Sequence, residues 1–161
     1  MSGGGLSHDT DARGGNNKED LMIAIGCDHG GYDLKQVIIA YFKEKGIAYK
    51  DFGCHDKNSC DYPVFGRAAA EAVASGECEK GIVVCTTGIG ISMAANKVEG
   101  VRCALCHDSL SAKMTRLHND ANMLALGGGM TGSNLALDIV EVFLNTPFSE
   151  EEKHKRRVAM L

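Results

Sequence analysis

Two periods of apolar positions alternate along the chain, and their order predicts the architecture. Residues 21–27 (Leu-Met-Ile-Ala-Ile-Gly-Cys) form a short continuous apolar run, the signature of a strand buried on both faces. Leu34, Val37, Ile38, Tyr41 and Phe42 then recur at helical spacing, with Asp33, Lys35, Lys43 and Glu44 on the opposite, polar side. Gly46 follows as the residue that ends this helix. Residues 48–52 read as a second strand. A helix over 63–74, a strand over 81–85 and a short helix over 89–96 continue the succession. A strand over 101–105, a helix over 109–117 and a strand over 122–126 come next. Leu135, Ile139, Val142 and Phe143 mark a final long helix that Pro147 stops. Strand followed by helix, five times over, predicts an α/β fold with an open five-stranded parallel sheet and helices on both faces. In such sheets ligands bind beyond the carboxyl ends of the strands, so candidate chemistry is sought there.

The first 20 residues do not share this pattern. MSGGGLSHDTDARGGNNKED holds one Leu, one Ala and five Gly, too little apolar surface to offset the ordering of a chain, and reads as a disordered extension without function. It has neither the apolar centre of a signal peptide nor the repeated Arg of a transit peptide. The remainder, 21–161, has the length of one domain. Lys and Arg number 17 against 21 Asp and Glu, a net charge of −4, which argues against nonspecific nucleic-acid binding or a basic membrane-surface role. No apolar run approaches the roughly 18 residues of a spanning helix, so no membrane role is expected. Seven Cys in a chain too large to need a disulfide scaffold read as reduced thiols, and the expected location is the cytoplasm.

Candidate chemistry gathers where strands end. After the first strand come Cys27, Asp28, His29, Gly30 and Gly31. The glycine pair allows a sharp turn and a close backbone approach, leaving Asp28 and His29 at the mouth of a cleft. Asp28 is equally suited to cap the following helix. After the third strand comes Cys85-Thr86-Thr87-Gly88-Ile89-Gly90-Ile91-Ser92, a glycine-rich loop running into a helix start whose free amides form an anion site. Its spacing is neither the dinucleotide G-x-G-x-x-G nor a P-loop. Cys85 precedes that helix start, where the dipole favours a thiolate acting as base or nucleophile. Cys103-Ala104-Leu105-Cys106-His107 matches the haem-attachment pattern C-x-x-C-H, but Cys103 and Leu105 fall in an apolar strand and share a face. Cys54, His55 and Cys60 lack the spacing of a zinc site. Residues 118–122, His-Asn-Asp-Ala-Asn, read as a site-facing loop after a helix, and Lys153-His154-Lys155-Arg156-Arg157 is a basic patch in an acidic chain.

Four motifs, Asp28-His29-Gly30-Gly31, Asp61-Tyr62-Pro63, Cys85-x-Thr87-Gly88-Ile89-Gly90 and His118-Asn119-Asp120-Ala121-Asn122, occur in an order and spacing that resemble the type B ribose-5-phosphate isomerases. That group shares a sugar-phosphate isomerase family with galactose-6-phosphate and allose-6-phosphate isomerases. The resemblance spans residues 22–158 and implies a Rossmann-like three-layer α/β/α sandwich and a homodimer or tetramer with shared active sites. It implies a phosphorylated sugar as substrate, with no metal and no cofactor. Cys85 then matches the base that moves a proton between C1 and C2. Thr87 and the backbone around Gly88, Ile89 and Gly90 match the groups that hold the enediolate oxygen. His118 matches the residue that opens the furanose ring, reaching in from the partner subunit with Asn119. Asp28 and Tyr62 match sugar contacts, His29 a phosphate contact, and Lys153 and Arg157 two phosphate-binding Arg positions.

The chain departs from this pattern at three places. Thr86 stands where the family commonly has Gly, Gly129 where it commonly carries an Arg for the partner's phosphate, and Lys153 where it has Arg. These departures bear on the phosphate pocket more than on the proton transfer. The expected activity is interconversion of ribose 5-phosphate and ribulose 5-phosphate. The alternatives are the same chemistry on allose 6-phosphate or galactose 6-phosphate, or a non-catalytic sugar-phosphate-binding protein. A thiol redox role through Cys103 and Cys106 is a third class, disfavoured by their expected place in a buried strand.

Overall fold

The computed structural model describes residues 21–161, and the extension expected over 1–20 lies outside them. Five strands, β1 (Ile23–Cys27), β2 (Tyr49–Asp51), β3 (Lys80–Cys85), β4 (Cys103–Leu105) and β5 (Met123–Gly127), form one parallel sheet in the order β2-β1-β3-β5-β4. Helices α1 (Tyr32–Lys45), α2 (Tyr62–Ala74), α3 (Ile89–Asn96), α4 (Ser109–Asn119), α5 (Ser133–Asn145) and α6 (Glu152–Val158) surround it.

Because strand side chains alternate, each central strand feeds two cores. On one face Ile23, Ile25, Ile82, Val84, Leu124 and Leu126 meet Leu34, Ile38 and Phe42 of α1, with Ile139 and Phe143 of α5. On the other face Ala24, Val83 and Ala125 meet Ala69, Ala70 and Val73 of α2 and Ile91 and Ala95 of α3. The result is the expected three-layer α/β/α sandwich, with bulky aliphatics on one side and small residues on the other. The small side brings its helices close together: a Cβ on Gly66 would lie 2.7 Å from Ile91 Cγ1. The start of α2 is thereby held beside the start of α3.

Four local expectations change. Residues 152–158 carry no apolar period, so the pattern predicts no helix there, yet they form α6, whose buried contact is His154. Helix α4 runs to Asn119, so His118 sits in its last turn rather than in a loop. Arg116, not His118, ties down that end, donating to Asp120 Oδ1 at 2.8 Å and to the Ala121 carbonyl at 2.7 Å. Lys35 does not lie on a polar face: it is completely buried, and its Nζ pairs with Asp51 at 2.8 and 3.0 Å and with the Cys54 carbonyl. Finally, β4 is a half-buried edge strand, with Cys103 and Cys106 contributing to opposite cores. That placement works against both a disulfide between them and a paired haem attachment.

The strand order creates one special crevice. From β1 the chain crosses to β2 on one side, and from β3 onward it builds the other side of the sheet. The loops leaving β1 and β3 therefore diverge at their carboxyl ends, and ligands of open α/β sheets bind at such a switch point.

Candidate active site

The β3 loop supplies the central group. Cys85 ends β3 on the small-residue face, 4 % exposed, and its Sγ accepts the Gly88 amide at 3.1 Å. Gly88 adopts φ +78°, and a Cβ there would lie 2.6 Å from Leu105 Cδ1, so glycine is required on both counts. Thr87 Oγ1 accepts the Ile89 amide at 3.2 Å. The other first-turn amides of α3, Gly90 among them, have no acceptor within the helix and face the crevice end of the dipole. The sulfur thus sits at the amino end of α3, within reach of the Gly88 amide.

The β1 loop stands against it. Asp28, 6 % exposed, accepts the Gly31 amide at 3.1 Å and caps a single 3₁₀ turn over His29–Gly31. Capping is therefore one role of Asp28, as its residue type allows. His29 Nδ1 accepts the Cys60 amide at 3.2 Å, which leaves the ring proton on Nε2, an outward-facing donor suited to an anionic oxygen. Tyr62 opens α2, half-exposed, and its ring lies over the start of α3: a Cβ on Gly90 would be 2.6 Å from the Tyr62 ring. The structure therefore brings Asp28, His29, Tyr62, Cys85, Thr87, Gly88, Ile89 and Gly90 to one mouth.

Two departures from the family pattern touch each other there. A Cβ on Gly129 would lie 3.0 Å from Thr86 Cγ2, and one on Gly30 would lie 1.9 Å from Thr86 Oγ1. Thr86 occupies space that only glycines on both sides leave open.

A second group of candidates lies elsewhere. His118, Asn119, His154, Arg157, Val158 and Leu161 line a pocket of about 270 Å³. The His118 and His154 rings stack with centroids 4.5 Å apart and planes 18° from parallel. Lys153 shares the helix with Arg157 but points its Nζ to Glu151 at 3.4 Å, while Lys155 pairs with Glu150 at 3.2 Å. The basic patch is therefore partly neutralised by the acidic run before it. His118 precedes β5, whose first residue Met123 pairs with Gly81, whereas Cys85 pairs with Gly127. Four strand residues at about 3.3 Å each keep the two ends roughly 13 Å apart. One chain does not bring Cys85 and His118 together.

Two supports escaped the sequence reading. The buried Lys35–Asp51 pair anchors the segment after β2, where Asp51 also accepts the Gly53 amide at 2.9 Å. That segment leads to Cys60, the residue that orients His29. His154, named only as part of a basic patch, is buried against His118. A lone charged residue at a helical position that faces the sheet is the only sequence signal for Lys35, and nothing local distinguishes His154.

Among the described residues no cluster of three His, Cys, Asp or Glu groups has metal-holding geometry, and no helix is long and apolar enough to cross a membrane. A thiol beside a helix N-terminus, free amides and convergent polar groups at a switch point form the kind of site an α/β enzyme offers a small polar substrate. The Ribose/Galactose Isomerase family matches residues 23–161, and the chain belongs to that family. It is 43% identical to ribose-5-phosphate isomerase B of Escherichia coli over 84% of this chain and 91% of that protein. It is also 43% identical to galactose-6-phosphate isomerase subunit LacB of Clostridium acetobutylicum, over 84% of this chain and 78% of that protein. The solved ribose-5-phosphate isomerase B of Clostridium thermocellum superposes with a TM-score of 0.85 at 53% identity, covering 87% of this chain and 94% of that one.

Proposed function

We propose that this chain interconverts ribose 5-phosphate and ribulose 5-phosphate in a homodimer whose two sites each draw residues from both subunits. The observation that carries the reading is the Cys85 sulfur, held 3.1 Å from the Gly88 amide at the switch point. Aldose–ketose isomerisation removes a weakly acidic C–H proton and needs a base together with donors for the oxygen that becomes charged. In the open-chain aldose Cys85 takes the C2 proton and returns it to C1, while a hydroxyl proton passes from O2 to O1. Thr87 and the first-turn amides of α3 hold the enediolate oxygen. Asp28 and Tyr62 hold sugar hydroxyls, and His29 turns its Nε2 proton toward the phosphate.

Ring opening precedes that step. His118 of the second subunit gives a proton to the furanose ring oxygen as the C1–O4 bond breaks and the anomeric hydroxyl releases its proton to water, with Asn119 beside it. Lys153 and Arg157, on the same helix face, approach the phosphate. Two features support a second copy here. Ile89 and Met93 of α3 and Leu110 and Met114 of α4 are exposed apolar pairs at helical spacing. The free edge at β4 is blunted, because Asn96 both donates to the Cys103 carbonyl at 2.9 Å and accepts its amide at 2.8 Å, so association through helices is favoured over strand pairing. Seven free thiols suit a reducing cytoplasm, which completes the reading.

The test is ketose formation from ribose 5-phosphate, allose 6-phosphate and galactose 6-phosphate by the purified protein. Fastest turnover of ribose 5-phosphate is expected. Preference for a hexose phosphate selects the second reading, which the LacB relative favours, and tight calorimetric binding without turnover selects a sensor. Shared sites are tested by mixing inactive Cys85→Ala and His118→Ala chains after subunit exchange. Statistical pairing of two chains predicts recovery of about a quarter of the parent activity. No recovery from dimers shown to exchange means that the sites are not shared.

A further inference from the structure

The His118–His154 stack has no place in the chemistry described so far, and His154 is the buried member of the pair. His154 is 8 % exposed, while His118 is only partly covered. The planes are 18° from parallel at a centroid distance of 4.5 Å. A parallel stack covers one face of the His118 ring and leaves both of its nitrogens, which lie on the ring edge, free for polar work. Those edges border the pocket shared with Asn119 and Arg157. His154 is itself fixed by α6, its amide donating to the Glu151 carbonyl at 2.9 Å.

We propose that His154 is a positioning residue for His118: its packed imidazole sets the plane in which His118 presents a nitrogen to the sugar ring. The proposal rests on the reading that His118 opens the ring. The reason is geometric. His118 occupies the last helical turn before Asp120, which adopts φ +45°, and a half-covered side chain there has rotamers to spare. Proton transfer to a ring oxygen needs the donor within hydrogen-bond reach and in line, so a ring free to turn loses much of its rate.

The electrostatics agree. Burial holds the His154 imidazole below its ordinary range, and His118, Lys153 and Arg157 push the same way against Glu151. These are the charged groups that face it, His118 from α4 and the rest from its own segment. At neutral pH His154 is therefore an uncharged plate under a ring that must gain and lose a proton. A cation in its place would repel protonated His118.

The experiment separates ring opening from proton transfer by choice of substrate. Ribose 5-phosphate is a closed furanose, whereas ribulose 5-phosphate has its O5 esterified and stays open. Solvent deuterium entering C1 of ribulose 5-phosphate, followed by NMR, therefore reports on the Cys85 step alone. For His154→Ala, kcat on ribose 5-phosphate should fall about tenfold with KM nearly unchanged, while deuterium entry stays within about twofold of the parent. His154→Phe restores a flat, uncharged plate and should recover most of kcat. Beyond an Ala variant that is not slowed at all, two results overturn the proposal. One is a Phe variant, folded by its melting profile, that is as slow as the Ala variant. The other is an Ala variant that raises KM at unchanged kcat, which makes His154 a support for Arg157. His118→Ala, run beside them, isolates the underlying reading. If it slows ribose 5-phosphate while His154→Ala does not, the positioning role alone fails; if it slows nothing, ring opening by His118 fails with it.

Discussion

The two clusters of functional residues are built on opposite physical principles. The carboxyl-end cluster around Cys85 is made by backbone: the loops after β1, β3 and β5 lie so close that a Cβ on Gly31 would be 2.3 Å from the Val84 carbonyl, and one on Gly128 would be 2.7 Å from that of Gly30. The amino-end cluster around His118 is made by side chains on helix ends, bordering an open pocket and resting on a seven-residue helix. The first fixes atoms by excluding alternatives, which suits a base that must stand at one carbon. The second is adaptable and half-exposed, which suits groups that complete a neighbour's site. In the proposed reading, rigid packing carries the proton transfer at carbon, and surface side chains open the sugar ring and complete a neighbour's site.

That contrast can be broken at several points. Cys85→Ala removes the proposed base and should lower kcat about 10³-fold in a steady-state ketose assay, with the fold unchanged by circular dichroism. A smaller loss than for His118→Ala reverses the assignment of the two clusters. Asp51→Asn leaves the Lys35 charge buried without its carboxylate and should cost about 3 kcal/mol in urea unfolding. A loss below about 1 kcal/mol at that position means the pair does not anchor the loop. Gly31→Ala forces a methyl against the Val84 carbonyl and should cost about 2 kcal/mol, whereas Arg157→Ala, which removes far more atoms, should stay within about 0.5 kcal/mol and act on KM instead. Equal stability losses at these two positions erase the distinction between the clusters.

The smallest effect is a pH dependence on the rigid side. Burial pushes the Cys27 thiol up to about 12, from an ordinary value of 9.0. A group whose pKa is raised by folding stabilises the fold below its unfolded value and loses that contribution as pH rises. Melting temperature should therefore decline between about pH 9 and 12, and Cys27→Ala should flatten the decline. An unchanged slope in that variant locates the alkaline sensitivity elsewhere.

Legibility from sequence followed the same division. The β1 and β3 loops were readable because their demands are local: a glycine pair after an apolar run, or Cys and Gly before a helix, has few structural explanations. Gly129 departs from the family pattern at a phosphate position, and a Cβ there would lie 3.0 Å from Thr86 Cγ2, a contact no local pattern reveals. The helical period assigns Lys35 to a polar face because it reports which side is apolar, not that the Asp51 carboxylate waits inside. Helix α6 carries one apolar residue in its seven, Val158, and its existence depends on a docking surface supplied by α4.

By itself the sequence determined the alternation of strands and helices, the open sheet with helices on both faces, and the place of Asp28, His29 and Cys85 at strand ends. These follow from periodicity and turn chemistry, which act over a few residues. Tertiary structure alone decided that Cys85 and His118 sit at opposite ends of the sheet, that Lys35 is paired inside, and that His154 lies flat on His118. Each of those joins segments far apart in the chain, and the energy of such contacts depends on where packing has already placed the partner.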